Sequence, residues 1–285
     1  MNGILVINKP KDYTSRDIVN IVSKYLKTKK VGHTGTLDPI AEGVLVLCIG
    51  TSLKLVELLT NNDKEYIAKV KLGIETDTLD ITGNITNTKK VNNIKKEDIN
   101  KVLNNFIGKI KQEVPKYSAI KVNGKKLYEY ARNNIDVKLP IKEVEIYKLE
   151  LISDIINNEF YIKCKVSKGT YIRSLIRDIG KSLNTYATMT ELKRTKQGIF
   201  NIDNSYTLED IKNNNYKLLN PIDVINIPTI TVEDKMVNKI KNGQVLKKFF
   251  NHDKAFILDN KNNLLAIYQI YNKDYVKPYK MFTNN

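Results

Sequence analysis

Residues 32–50 read GHTGTLDPIAEGVLVLCIG. Three glycines, a histidine, two threonines and a proline surround Asp38, and the apolar run VLVLCIG follows at once. That run predicts a buried strand over 43–50. The glycines permit close backbone approach, and Pro39 stiffens the chain just after the acid. An Asp before Pro is commonly a plain turn residue. A carboxylate held rigidly at the edge of an apolar core is also where a nucleophile or base belongs. Both readings stand on this stretch alone. Burial disfavours the charged form, so an ionised Asp38 there requires a cation. Arg173, in GTYIRS on the first turn of a predicted helix, is the candidate, with a solvated helix flank as its alternative. Arg177, one turn later, is expected to be the solvated one.

On the N-terminal side, GILVI (3–7) predicts a short strand stopped by Asn8, Lys9 and Pro10. A helix capped by Ser15 follows, with Ile18, Ile21, Val22, Tyr25 and Leu26 at helical spacing. On the other side, 53–59 predicts a short helix and 64–73 an alternating strand. KEDINKVLNNFIG (96–108) predicts a helix stopped at Gly108. Asn123-Gly124 signals a tight turn, and KKLYEYAR after it reads as basic and helical. The runs 143–151 and 159–166 predict antiparallel partners across a turn at 157–158. SKGTYIRSLIRDIGKSLN (167–184) predicts an amphipathic helix burying Ile172, Leu175, Ile176, Ile179 and Leu183. Composition shifts near 213–228, after which come a short helix at 233–241 and two strands, AFILD and LLAIYQIY. The expected architecture is α+β, a mixed, largely antiparallel sheet with flanking helices and a small β-rich C-terminal module. The expected division is 1–225 and 226–285, with an insertion near 110–140.

The 285 residues include 47 Lys and Arg against 31 Asp and Glu, a net charge of +16. Such a balance favours a polyanionic partner such as nucleic acid, although a chain rich in Lys, Asn and Ile can also reflect base composition. Cys48 and Cys164 sit in apolar-alternating runs and read as core residues, not as a disulfide or metal pair. No secretory leader or membrane-length apolar run is legible, so a cytoplasmic protein is expected. Asp77 and Asp80 superficially suggest a metal pair, but without a companion histidine they read as turn residues capping backbone amides. His252 lies in a polar turn and carries no expected role.

Six segments together resemble one family. NKP (8–10), the 32–50 stretch, DKEY (63–66), TDTLDITG (76–83), YSAIKVNGKKLYEYAR (117–132) and SKGTYIRSLIRDIG (167–180) occur in the order seen in bacterial tRNA pseudouridine-55 synthases. The resemblance implies the pseudouridine synthase fold and isomerisation of uridine 55 in the tRNA T loop, without metal, nucleotide or organic cofactor. It places the catalytic aspartate at Asp38, the active-site tyrosine at Tyr66 and the aspartate's arginine partner at Arg173. Tyr171 and Leu192 match residues lining the uracil pocket. Lys9 and Pro10 match the motif buttressing the aspartate loop, and His33 matches a T-loop contact. The implied partner is tRNA, with no membrane and no obligate protein partner, the enzyme acting as a monomer. The tail resembles a PUA module in size, position and β content.

Read singly, these residues have plainer explanations. Tyr66, one of 16 tyrosines, fits a core strand, and His33 fits a loop hydrogen bonder. Two further functions also fit the charge: a non-catalytic tRNA-binding or folding protein acting on the tRNA elbow, and a guide-RNA-dependent relative acting on ribosomal RNA. Asp38 argues against a pure binder, because an acid aimed at a polyanion repels it.

Overall fold

The computed structural model describes residues 1–282. The quoted stretch runs into the second strand from one edge of its main sheet. β1 (Gly3–Lys9), α1 (Ser15–Tyr25), β2 (Val31–His33) and β3 (Glu42–Ile49) form the N-terminal part. β1 pairs antiparallel along one edge of β3 from Gly3↔Ile49 to Lys9↔Gly43. Both strands are buried on both faces, which is why they read as continuous apolar runs. α1 lays Ile18 and Val22 over Leu5, Ile7, Leu45 and Leu47. Its cap is Thr14, reciprocated by Asp17, rather than Ser15 as expected. Ser15 is the first helical residue, and its hydroxyl is used elsewhere, in holding Leu37.

A tight helical turn over Gly50–Leu55 leads into α2 (Val56–Thr60) and then β4 (Lys64–Leu72), whose strict alternation buries Tyr66, Ala68, Val70 and Leu72. Next come the hairpin β5 (Ile74–Thr76) and β6 (Ile85–Thr88), then α3 (Lys96–Asn105) and β7 (Gly108–Glu113). The segment after β7 carries a small hairpin, β8 (Lys121–Val122) and β9 (Lys125–Lys126), and the short α4 (Leu127–Arg132). Asn123 and Gly124 both take positive φ, 49° and 83°, as a two-residue hairpin turn of the I′ type requires. β10 (Ile141–Leu151), β11 (Glu159–Val166), α5 (Ile172–Ser182), β12 (Ala187–Gln197) and β13 (Phe200–Asn201) complete this part.

The main sheet runs β1-β3-β12-β4-β11-β10-β7, and all its pairs are antiparallel except β3 with β12. β12 is its hub and was not anticipated from sequence. α3 and α5 bury Ile99, Leu103, Leu175, Ile176 and Ile179 against Ala68, Val70, Ile146 and Ile162, each large side chain contributing about 1.5–3 kcal/mol. β3 and β12 meet only at Glu42 and Gly43. A Cβ at Gly43, whose φ is +105°, would fall 2.2 Å from the Arg194 carbonyl oxygen, so only glycine fits.

α6 (Leu208–Lys212) and α7 (Pro221–Val224) lead to a second sheet. Its elements are β14 (Thr229–Thr231), α8 (Asp234–Lys241), β15 (Leu246–Lys247), β16 (Lys254–Leu258), β17 (Leu264–Ile270) and β18 (Tyr275–Met281), with strand order β14-β16-β17-β18-β15. This PUA-like curled module has its own core around Ile240, Ile257, Ala266 and Tyr268. It rests on the first part through Phe256, Ile267 and Phe282 against Leu55, Leu58 and Ile225. No helix among the described residues is long and apolar enough to cross a membrane.

Candidate active site

Asp38 lies in the loop between β2 and β3, and that loop is fastened from below. Ser15 Oγ accepts from Leu37 N at 2.8 Å. The Lys9 ammonium, fully buried, donates to the carbonyls of Pro10 (2.8 Å), Tyr13 (2.7 Å) and Pro39 (3.4 Å). Ala41 N donates to Asp38 O at 3.0 Å and closes the turn. Burial pushes Lys9 down to about 8, against the pull of Asp12 and Asp38. Lys9 and Pro10 thus lie behind the loop and do not line the cleft.

The Asp38 side chain is 41% exposed and opens into a cleft of about 570 Å³. Across it stands Arg173, 7% exposed, with Nε 3.0 Å from Asp38 Oδ2. Nη1 of Arg173 donates to Thr78 O at 2.8 Å and lies 3.5 Å from Asp80 Oδ2, while Nη2 donates to Tyr117 O at 3.1 Å. One planar fork therefore ties the Asp38 loop, the turn after β5 and the segment after β7 together. Asp80 does accept from the Thr82 amide, the turn role expected of it, but its other oxygen faces Arg173. Asp77 accepts from Asn84 N and stays in its turn.

Tyr66, Tyr171 and Leu192 line the same cleft. Tyr66 lies opposite Arg194 on β12 and opposite Cys164 on β11. Burial pushes its phenol above the ordinary value, with the Arg194 guanidinium opposing, so it stays a neutral O–H at neutral pH. Tyr171 caps α5 and is clamped by Gln112, which accepts from its N–H at 2.8 Å and donates to its carbonyl at 3.1 Å. Its phenol is also pushed up by burial. His33, like Lys9 and Pro10, lies outside the cleft: it sits on β2, half-buried, with Nδ1 lacking a partner among the described residues. Burial, with Arg16 and Arg194 near, lowers its pKa and keeps it neutral. Arg177 is not solvated as expected. It is buried and paired with Glu113 at 2.9 Å and Asp178 at 2.8 Å, because the face of α5 it occupies packs against the end of β7.

Sequence reasoning missed two buried cleft cations, as well as two at the rim. Arg194 is 1% exposed, and Lys64 donates to Thr60 O and Asn62 O from a buried position. Burial, aided by Arg194, pushes Lys64 down to about 8. With Lys142 and Lys168 at the rim, the cleft is strongly electropositive around Asp38 and Glu143. Lys64 stands two residues before Tyr66, so the strand alternation already places both on one face. Arg194 carries no comparable local signal. Among the described residues no cluster of three His, Cys, Asp or Glu side chains is placed to hold a metal ion.

Residues 23–172 match the TruB family pseudouridylate synthase N-terminal domain, and residues 173–223 match the tRNA pseudouridylate synthase B C-terminal domain. The chain belongs to the TruB family. The join between the two matches falls at the start of α5, so Asp38 comes from one stretch and Arg173 opens the other. Among curated relatives in the TruB family, tRNA pseudouridine synthase B of Oceanobacillus iheyensis is 46% identical over 99% of this chain and 98% of its own length. That of Staphylococcus saprophyticus is 43% identical over 99% of both. A chain from the crystal structure of a Cbf5-Nop10-Gar1 complex superimposes with a TM-score of 0.71 at 24% identity, over 99% of this chain and 85% of that one. A chain from an H/ACA RNP bound to a substrate RNA containing 2′-deoxyuridine gives 0.71 at 23%, with the same coverage. These two likenesses speak for the fold alone.

Proposed function

We propose that this TruB-family chain isomerises uridine 55 in the T loop of tRNA to pseudouridine. The observation that carries the reading is the Asp38 carboxylate, held by Arg173 at 3.0 Å and open to a cationic cleft walled by Tyr66, Tyr171 and Leu192. Whole-length relatives at 43–46% identity that are tRNA pseudouridine synthases point to tRNA as the substrate.

The target base is stacked inside a folded RNA loop and is flipped out at a cost of a few kcal/mol. Lys142 and Lys168 at the rim of the cleft, with the lysines of the 121–126 hairpin, offset that cost through phosphate contacts that are blind to sequence. The flipped uracil stacks on the Tyr66 ring, with Tyr171 and Leu192 completing the apolar wall. Asp38 then acts on the flipped nucleotide, as a nucleophile at sugar or base or as a base at the sugar. The N1–C1′ bond breaks, the uracil turns, C5 bonds to C1′, and the proton on C5 leaves as N1 gains one. Substrate and product have the same atoms, so the step consumes no co-reactant. His33 serves as a T-loop contact outside the cleft, and Lys9 and Pro10 hold the loop that presents Asp38. We read residues 1–225 as the catalytic domain and 226–285 as an accessory RNA-binding module, the enzyme acting as a monomer in the cytoplasm.

The test is incubation with an unmodified tRNA transcript, no metal or nucleotide added, and mapping of pseudouridine by position. Wild-type protein converts position 55. Asp38→Asn converts none while its tRNA Kd stays within a few-fold. An Asp38→Asn variant working at the wild-type rate removes Asp38 from the chemistry. A wild-type protein that binds tRNA and converts nothing supports the non-catalytic binder instead.

A further inference from the structure

We infer that Arg194 is a positioning residue for the reaction, its buried guanidinium fixing the backbone on both sides of Asp38. This rests on the reading of Asp38 as the reactive group. Arg194 Nε donates to Val44 O at 2.7 Å, Nη2 to Gly35 O at 3.2 Å and Nη1 to Thr36 O at 3.3 Å. Two of those carbonyls precede Asp38 and one follows it. Ser15 holds Leu37 and Lys9 holds Pro39, so the three side chains grip the loop at four residues, and β3 at Val44, around a single carboxylate.

The cation has no carboxylate partner among the described residues to account for its burial. It is 1% exposed, and among the described residues no carboxylate lies within ion-pair distance of it. Burying an unpaired charge is expensive, and an apolar side chain on β12 would pack there at lower cost. What an apolar residue cannot do is bridge three diverging carbonyls. Lysine does not reproduce the arrangement either, since Arg194 serves these three carbonyls from three separate nitrogens of a planar fork and lysine has one. Arg194 also lies opposite Tyr66 on β4 and opposite Gly43 on β3. The same residue therefore links the aromatic wall to the loop bearing the acid. A displacement of about 1 Å at a reacting group can cost on the order of 100-fold in rate.

The experiment compares wild type, Arg194→Lys and Arg194→Met for tRNA Kd, single-turnover pseudouridine formation at saturating enzyme, and amide exchange at Leu37 and Ala41. Both variants are expected to bind tRNA within about threefold of wild type and to lose roughly 100-fold in single-turnover rate, with faster exchange at both amides. Ser15→Ala, a smaller change at another support of the loop, is expected to lower the rate too. Its combination with Arg194→Lys should lose less than the product of the two, because both act through one loop. An Arg194→Lys variant with the wild-type single-turnover rate overturns the inference. So does loss of tRNA binding in step with rate, which would make Arg194 a residue of the fold alone. Exchange needs no turnover. If wild type proves inactive, the uridine-isomerase reading fails separately, and unchanged exchange in Arg194→Lys still sinks the loop assignment.

Discussion

Replacing Arg173 by lysine keeps the charge beside Asp38 and removes the fork. In the wild-type protein three nitrogens of one guanidinium reach Asp38 Oδ2 at 3.0 Å, Thr78 O at 2.8 Å and Tyr117 O at 3.1 Å, with Asp80 at 3.5 Å. A single ammonium cannot span acceptors set around a plane, so at least two of these hydrogen bonds disappear. Hydrogen bonds involving a charged group contribute about 1.5–3 kcal/mol each, giving a deficit of about 3–6 kcal/mol. At about 1.4 kcal/mol per decade, that is a fall of roughly 10² to 10⁴ in the single-turnover rate, provided the bonds act in the transition state. The assay is rapid mixing of excess enzyme with tRNA carrying a label at C5 of uridine and counting the label released. Because Arg173 lies below the surface that meets RNA, the tRNA Kd should move less than threefold. A rate within threefold of wild type would refute the argument that fork geometry, rather than local positive charge, is what Asp38 requires.

Three other outcomes follow from the same structure. Changing Lys121, Lys125 and Lys126 together to glutamine should weaken tRNA binding and flatten the plot of log K against log salt by about 0.7–0.9 for each phosphate no longer neutralised, with the single-turnover rate unchanged; a fixed slope would remove the 121–126 hairpin from the RNA interface. Lys64, at about 8 in the folded protein against 10.5 unfolded, makes the folded state pay for its proton below pH 8, and that penalty fades as pH rises from 8 to 10.5. Thermal melts should therefore show Lys64→Met gaining most relative to wild type near pH 7 and least near pH 9.5, and a pH-independent difference would contradict the burial argument. Gly43→Ala forces a methyl to within 2.2 Å of the Arg194 carbonyl oxygen at positive φ, which should cost about 2–3 kcal/mol or more and lower the Tm by several degrees.

Local pattern made much of this protein legible. β4, β10, β11 and α5 each bury a face whose period is written in its own residues, β3 announces itself as a continuous apolar run, and the Asn123-Gly124 turn needs only two residues with positive φ. The stiffness of the Asp38 loop was equally visible, because glycine and proline act on their own backbone. β12 escaped because its pairing with β4 slips between Met189 and Glu191 and again between Arg194 and Lys196. Each irregularity shifts which side chains face inward, so the alternation that announces a strand never persists long enough to be read.

The sequence by itself determined the elements, the basic surface, the candidate acid and its candidate cation, since these depend on nearest neighbours and on residue chemistry. Only the tertiary structure decided that Arg173 reaches Asp38, that Arg177 and Arg194 are buried, and that Asp80 faces the same guanidinium. A charged side chain's burial depends on partners that arrive from distant strands: the carbonyls of Gly35, Thr36 and Val44 for Arg194, and the carboxylate of Glu113 for Arg177. No local pattern carries that information, because an arginine bound for solvent and one bound for the floor of a cleft have the same immediate neighbours.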